Sequence, residues 1–269
     1  MTRVVLILVD GMRPDAVLQA DTPTMTRLIE TGTSTLSART VMPSMTLPCH
    51  MSLFHSVPPE RHGVTTNLYT PQVRPVPGLF DILSAAGRRC AMFYTWEELR
   101  DVSRPGALSY ASFLRDPQDG SWSGDQPNAE KAAAWLKENV FDFAFIYLGY
   151  TDVAGHLHGW MSESYLEAVS EADAYIGTVQ DVLNDDTLLI VMADHGGHDR
   201  GHGTDSPEDM TIPLLFGNHS DIRRAHTLPG EVSIMDVAPT VARVLGVKVP
   251  KVWEGRGLEV DILRQLPMP

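Results

Sequence analysis

The sequence predicts an α/β layered fold, and three observations carry that reading. Short apolar runs recur along the chain: VVLILV, CAMFY, FDFAFIYL, TLLIVM and IPLLF. Runs of that length and composition read as strands buried on both faces. Between them lie amphipathic stretches with helix start and stop signals, which is the alternation of a layered α/β protein. Several of the runs then lead into an acid: VVLILVD, FDFAFIYLGYTD and TLLIVMADH. Acids at the carboxyl ends of buried strands converge on one edge of a sheet, the edge where open α/β folds bind ligands.

The elements follow in order. Val4 to Val9 is the first strand. Thr22-Pro23 opens a helix through Glu30, with proline tolerated in the first turn and Gly32 as the stop. Thr46 to Phe54 is a helix, Pro48 again lying in its first turn. Gly78 to Ala86 is a helix closed by Gly87, and Cys90 to Tyr94 the strand after it. Asn128 is placed to cap a helix from Ala129 to Glu138. Phe141 to Leu148 is a central strand. Ser162 to Leu183 is a long helix with Tyr165, Val169, Ala172, Ile176 and Val179 on one face. Thr187 to Met192 and Ile212 to Phe216 are strands, and Ile234 to Leu245 is the last helix. Ser103 to Gln126, rich in Ser, Gly and Asp, reads as a surface excursion. No repeat or linker divides the chain, so residues 1–269 are expected to form a single domain.

Composition excludes some functions. Of 269 residues, 43% are hydrophobic and 20% charged, the balance of a soluble globular protein. The formal net charge of −13 argues against a nucleic-acid polymer as partner. It is compatible with a small anionic substrate if bound dications reverse the local sign. The two cysteines, Cys49 and Cys90, are too few for a disulfide framework and fit a reducing compartment. Cys49 reads as a small buried apolar residue. The first apolar run is too short for a signal peptide or membrane span, so a cytoplasmic protein without a membrane partner is expected.

The chemistry-bearing residues are Asp10, Asp152, His156, Asp194, His195 and His202. Three carboxylates and three imidazoles suit two divalent ions; zinc fits the set best, and manganese or iron suit the same ligands. Asp152 and His156 are spaced i, i+4, which puts both on one face of a helical turn. Asp194 and His195 are adjacent and share a site only where the strand ends and the backbone turns; Gly196-Gly197 is read as that turn. His202 follows in the loop GGHDRGHG, whose flexibility is expected to return it to the same edge. His55, His62, His158, His198, His219 and His226 are read as structural or surface histidines. Thr46 opens a predicted helix, where backbone N–H groups favour an anion, and it is the candidate nucleophile; Ser44 is its rival. Asn67, in HGVTTN, offers a neutral amide donor for a phosphate oxygen.

Taken in order, LVDGMRPD, MPSMTLPCH, PERHGVTTN, YTDVAGH and ADHGGHDRGHG resemble the motifs of the alkaline phosphatase superfamily, specifically its nucleotide pyrophosphatase/phosphodiesterase branch. The resemblance runs from Asp10 to about Phe216. It implies a three-layer α/β/α sandwich around a mostly parallel sheet. It also implies two zinc-like sites, one held by Asp152, His156 and His202 and the other by Asp10, Thr46, Asp194 and His195. Thr46 would form a phosphothreonine intermediate, with Asn67 donating to a phosphate oxygen. The substrate would be a small phosphate ester. One departure is large. Relatives of the nucleotide phosphodiesterase kind carry a long insertion before the last histidine, whereas six residues separate His195 from His202 here.

Other readings compete. A sulfatase would head its motif with Cys or Ser and carry Arg where His50 stands. A monoesterase would want an added cation, from Arg13, Arg39 or Arg61. A phosphonate hydrolase would use the same nucleophile and ions. A catalytically silent metal-binding protein is the non-enzyme alternative.

Overall fold

The computed structural model describes residues 2–104, 106–116, 123–218 and 225–260. The first half of the chain contributes β1 (Arg3–Val9), α1 (Pro14–Gln19), α2 (Pro23–Thr31), β2 (Thr33–Arg39), α3 (Thr46–His55), α4 (Pro59–His62), α5 (Leu79–Ala85), β3 (Cys90–Tyr94) and β4 (Tyr110–Phe113). The second half contributes α6 (Asp125–Glu138), β5 (Phe143–Leu148), α7 (Tyr150–His158), α8 (Glu163–Gln180), β6 (Thr187–Met192), α9 (Pro207–Met210), β7 (Thr211–Gly217), β8 (His226–Thr227) and α10 (Val237–Val244).

Among the described residues there is one eight-stranded sheet, ordered β4-β3-β5-β1-β6-β7-β2-β8. It is mostly parallel; β7 runs antiparallel to both neighbours, β6 and β2. Helices α1, α2, α6 and α7 pack with α8 on one face, while α3, α5 and α10 pack together on the other. This is the three-layer sandwich. Val4 to Val9 is buried throughout, as a strand covered on both faces must be.

The three central strands set the site. β5, β1 and β6 are adjacent and parallel, with Val9 beside Leu148 and Leu8 beside Met192. Their carboxyl ends therefore lie level: β5 leads into α7, β1 into Asp10, and β6 through Ala193 into Asp194-His195. The apolar face expected of the long helix is the buried one: Tyr165, Val169, Ala172, Ile176 and Val179 are all buried, and the Ser162 side chain caps the helix by accepting from Tyr165 N–H.

Some elements differ from expectation. The sixth helix starts at Asp125, and Asn128 is an interior residue of it, its amide donating to the carbonyl of Tyr147 (2.9 Å). The last helical stretch is a 3₁₀ turn, Ile234–Asp236, followed by α10. The Ser103 to Gln126 excursion contributes β4 and the start of α6; residues 105 and 117–122 of it, like His219, lie outside the described residues. Among the described residues no helix is long and apolar enough to cross a membrane.

Candidate metal centre and nucleophile

Two clusters of potential ligands form at the sheet edge. Asp10, Asp194 and His195 are one, and Asp152, His156 and His202 the other; within each, one atom per residue lies within 4.8 Å of the rest. Nε2 of His195 is 3.2 Å from Oδ1 of Asp10 and 3.5 Å from Oδ2 of Asp194. Oδ2 of Asp152 is 3.4 Å from Nε2 of His156, and its Oδ1 is 3.6 Å from Nε2 of His202. The His195 and His202 rings stack 3.9 Å apart, so the two clusters lie side by side.

The local backbone makes this convergence feasible. Asp194 and His195 follow β6 after its last paired residue, and both reach one site because the strand has ended. Gly196 and Gly197 serve close approach rather than a left-handed turn. A Cβ at Gly196 would sit 2.0 Å from the Glu208 carbonyl oxygen, and one at Gly197 would sit 2.3 Å from the Trp160 ring. Gly11 is different: its φ is +66°, and its N–H donates to Oδ1 of Asp194 (3.2 Å). His202 returns to the edge through a tight hairpin, not through loop flexibility. His198 and Gly201 pair across it with backbone bonds of 3.0 and 2.9 Å.

The donor set fits divalent ions. Each of the three imidazoles has Nδ1 against a carbonyl: His195 on Gly196, His156 on Arg200, His202 on Ser44, at 2.8 to 3.0 Å. Donation from Nδ1–H leaves the Nε2 lone pair as the ligand, the arrangement typical of metal-bound histidine. Oδ1 of Asp10, Oδ1 of Asp152 and Oδ2 of Asp194 are buried without a hydrogen-bond partner. The separations of 3.2 to 3.6 Å match those between ligands of a tetrahedral ion with bonds of about 2 Å, roughly 3.3 Å.

Electrostatics agree. Burial, and then each other's charge, pushes the Asp10 carboxyl well above the usual range; burial pushes Asp194 up to about 8. Two unit charges 4.8 Å apart repel by about 3 kcal/mol at an effective dielectric of about 20. Burial and the neighbouring His195 bring His202 down to about 4, so its ring is neutral and available as a ligand. A bound cation would offset these penalties together.

Thr46 is the first residue of α3 and is buried, with Oγ1 3.3 Å from Nε2 of His195. Its N–H has no intrahelical partner. Asn67 Oδ1 accepts from the next N–H, that of Leu47 (3.0 Å), which turns the Asn67 amide and sets it beside the start of the helix. Ser44 is occupied elsewhere, donating to the carbonyl of Thr204 at 2.7 Å. Cys49 is buried and accepts from Thr40.

Several residues of the site were not anticipated. The Tyr147 hydroxyl, at the end of β5, donates to Oδ2 of Asp10. His50, a fully buried residue of α3, places Nδ1 2.8 Å from the carbonyl of Thr46 one turn earlier; burial brings it down to about 3, so its ring is neutral. Asp125 accepts from the N–H groups of Gly149 and Tyr150, both at 2.8 Å, and so caps the helix that carries Asp152 and His156. Strand position was the only signal for Tyr147, and Asp125 meets partners 24 and 25 residues away.

The remaining histidines divide. His55 and His62 are buried and bonded to Val76 and Ser52; His158 is exposed. His198 pairs with Asp209 rather than with an ion site. Of the three candidate cations, Arg13 holds Asp15 and the Gly197 carbonyl, and Arg61 donates to the Arg74 carbonyl. Arg39 lines a hollow with Glu231, Asp236 and Glu254.

Residues 4–203 match the family described as type I phosphodiesterase / nucleotide pyrophosphatase. The chain belongs to that family. It is 28% identical over 272 residues to the human GPI ethanolamine phosphate transferase 2, catalytic subunit, covering 93% of this chain and 27% of that protein. The chain thus spans about a quarter of that relative's length. Among solved structures, an inactive form of murine ectonucleotide pyrophosphatase / phosphodiesterase 5 in complex with AMP superposes with a TM-score of 0.75, at 15% identity, over 93% of this chain and 96% of that one. A 2-O GAG sulfatase has a TM-score of 0.71 at 16% identity, over 96% of this chain and 73% of that one. At these identities the structures share the family's fold.

Proposed function

We propose that this chain cleaves phosphodiesters of small molecules through Thr46, with two divalent ions, zinc by the chemistry of the donor set. Asp152, His156 and His202 would hold one ion; Asp10, Thr46, Asp194 and His195 the other. The observation that carries the reading is the Thr46 hydroxyl. It stands at a helix N-terminus, 3.3 Å from Nε2 of His195, beside two clusters of orphaned carboxylate oxygens.

When bound, such ions act as Lewis acids at phosphoryl oxygens and ease deprotonation of a hydroxyl. The protein supplies the rest. Thr46 Oγ1 loses its proton and attacks phosphorus in line. A bond from Oγ1 to phosphorus forms as the bond to the leaving oxygen breaks, and the leaving alkoxide takes up a proton. Water then cleaves the threonine ester, restoring the hydroxyl and releasing a phosphate monoester. The N–H of Thr46 and the Asn67 amide donate to a non-bridging oxygen as its charge grows. The helix start contributes a partial positive charge without a full cation.

Diesters are favoured over monoesters because the donors are neutral. Arg13 and Arg61 are held by other partners, and Arg39 lines a separate hollow. Thr46 at the head of its motif, with His50 where a sulfatase would carry Arg, argues against sulfate esters as the main substrate. A second reading, transfer of the group to an alcohol instead of water, is supported by the likeness to the ethanolamine phosphate transferase. Product analysis with and without added alcohol separates the two.

The test is Thr46→Ala. Turnover of an activated diester should fall by roughly 10³-fold or more, with fold and most metal content retained. Near-full activity in that variant would overturn the mechanism.

A further inference from the structure

Six residues separate His195 from His202, and one acid holds the loop that they form. Asp209, fully buried at the end of α9, grips this loop at three points. Its carbonyl accepts from Gly196 N–H (2.8 Å) at the start of the loop. Oδ1 is 2.7 Å from Nδ1 of His198 at the middle. Oδ2 accepts from both N–H and Oγ1 of Thr204, each at 2.8 Å, just past His202. The Asp209 carboxyl, despite its burial, is held below the usual range by the His198 and Thr204 donors.

The grip reaches the ligands by two routes. The Thr204 carbonyl accepts from the Ser44 hydroxyl (2.7 Å), and the Ser44 carbonyl is 2.8 Å from Nδ1 of His202. That second contact fixes which nitrogen of His202 faces Asp152. The other route runs through Arg200, whose carbonyl is 3.0 Å from Nδ1 of His156. Arg200 lies inside the hairpin closed by His198 and Gly201. Both imidazoles of the open cluster therefore take their orientation from one clamped loop. The buried cluster meets the loop only at Gly196, which Asp209 holds through its main-chain carbonyl and not through its carboxylate. Asp10 is set by β1 and Tyr147, Asp194 by the Gly11 N–H, and His195 by its own neighbour Gly196.

We propose that Asp209 is the positioning residue of the open metal site: through His198 and Thr204 it orients His202 and His156, and so sets that site's ion affinity without altering the buried one. This rests on the two-ion reading above. The reason is physical. Partners that orient metal ligands usually account for about 10- to 100-fold in metal affinity. Asp209→Asn keeps the backbone contact to Gly196 and the approximate volume. It loses the charge and replaces an acceptor oxygen by an NH₂ donor facing either His198 or Thr204.

The experiment is a zinc titration of the metal-free protein against a chromophoric chelator, with no substrate present. The parent should bind two zinc ions per chain. Asp209→Asn should bind one as tightly as the parent does and the second roughly 10- to 100-fold more weakly. Thr204→Ala and His198→Gln, milder changes that remove single donors, should weaken the same ion in the same direction. They keep the test open if Asp209→Asn does not fold. A variant set in which both ions bind as in the parent while only the melting temperature falls would reduce Asp209 to a structural role. Equal weakening of both ions would also overturn the assignment, and so would a parent that binds fewer than two. A parent that binds two zinc ions but cleaves no diester would instead sink the proposed substrate class and leave this inference standing.

Discussion

The two ligand clusters sit side by side but are built from different materials. Asp10, Asp194 and His195 come from the ends of central strands and are buried, whereas Asp152, His156 and His202 come from a helix and a hairpin loop, with the His156 side chain 43% exposed. The buried cluster is set by the sheet itself. Its acids are forced together by parallel strands whose ends lie level, and the electrostatic penalty of that crowding favours a cation strongly. The open cluster depends on helix capping and on loop contacts. A site of the first kind resists exchange; one of the second can lose its ion while the fold remains intact.

Asp194→Ala removes a ligand of the buried cluster and the acceptor for Gly11 N–H. Turnover should fall by three or more orders of magnitude, about 4 kcal/mol in activation free energy, and bound metal should fall with it. Activity within tenfold of the parent would show that the buried cluster is not the reacting one. His156→Ala should reduce zinc from two ions to one while changing the melting temperature little; loss of both ions would mean that the clusters are not independent. Tyr147→Phe leaves Oδ2 of Asp10 buried without its donor, a cost of about 1–3 kcal/mol where no ion compensates. Its signature is weaker zinc binding at the buried site, with the open site unchanged.

Asp125→Asn should move turnover least, and its effect lies in pH. Burial pushes the Asp125 carboxyl up to about 7, against the pull of the Tyr150 and Gly149 N–H groups. In the unfolded chain it titrates near 4. Between those values the folded state holds a proton that the unfolded state has lost. The stability contributed by this group is therefore complete below about pH 4 and is lost as pH rises through about 7. Denaturant unfolding of zinc-free protein between pH 5 and 8 should show a smaller decline in Asp125→Asn than in the parent. Parallel curves would refute the shift.

The core strands and the convergence of these acids and histidines were legible for one reason. Wholly apolar runs such as VVLILV leave little choice of structure, and an acid just beyond a central parallel strand has only one sheet edge to reach. Thr33–Arg39 was not legible as β2. TSTLSAR has too few apolar residues for its period to stand out, and its place beside β7 is a tertiary fact. Asn128 looked like a helix cap because capping is a local signal, yet its amide serves the Tyr147 carbonyl on β5. The roles of Ser44, Asp125 and Tyr147 escaped for the same reason. Each acts on a partner brought near by the fold, Ser44 on a histidine 158 residues away. Asp209 reads locally as an acid in the first turn of a short helix, which the helix dipole explains without reference to His202.

Action on phosphodiesters is what Thr46 and its neutral donors are expected to support. It is tested most directly by comparing kcat/KM for bis-p-nitrophenyl phosphate with that for p-nitrophenyl phosphate in the zinc-loaded protein. A ratio well above one is predicted, because Asn67 and the α3 N-terminus offer no full cation to a dianion. A ratio well below one would contradict the account and place a cation at the phosphate that the site geometry does not supply.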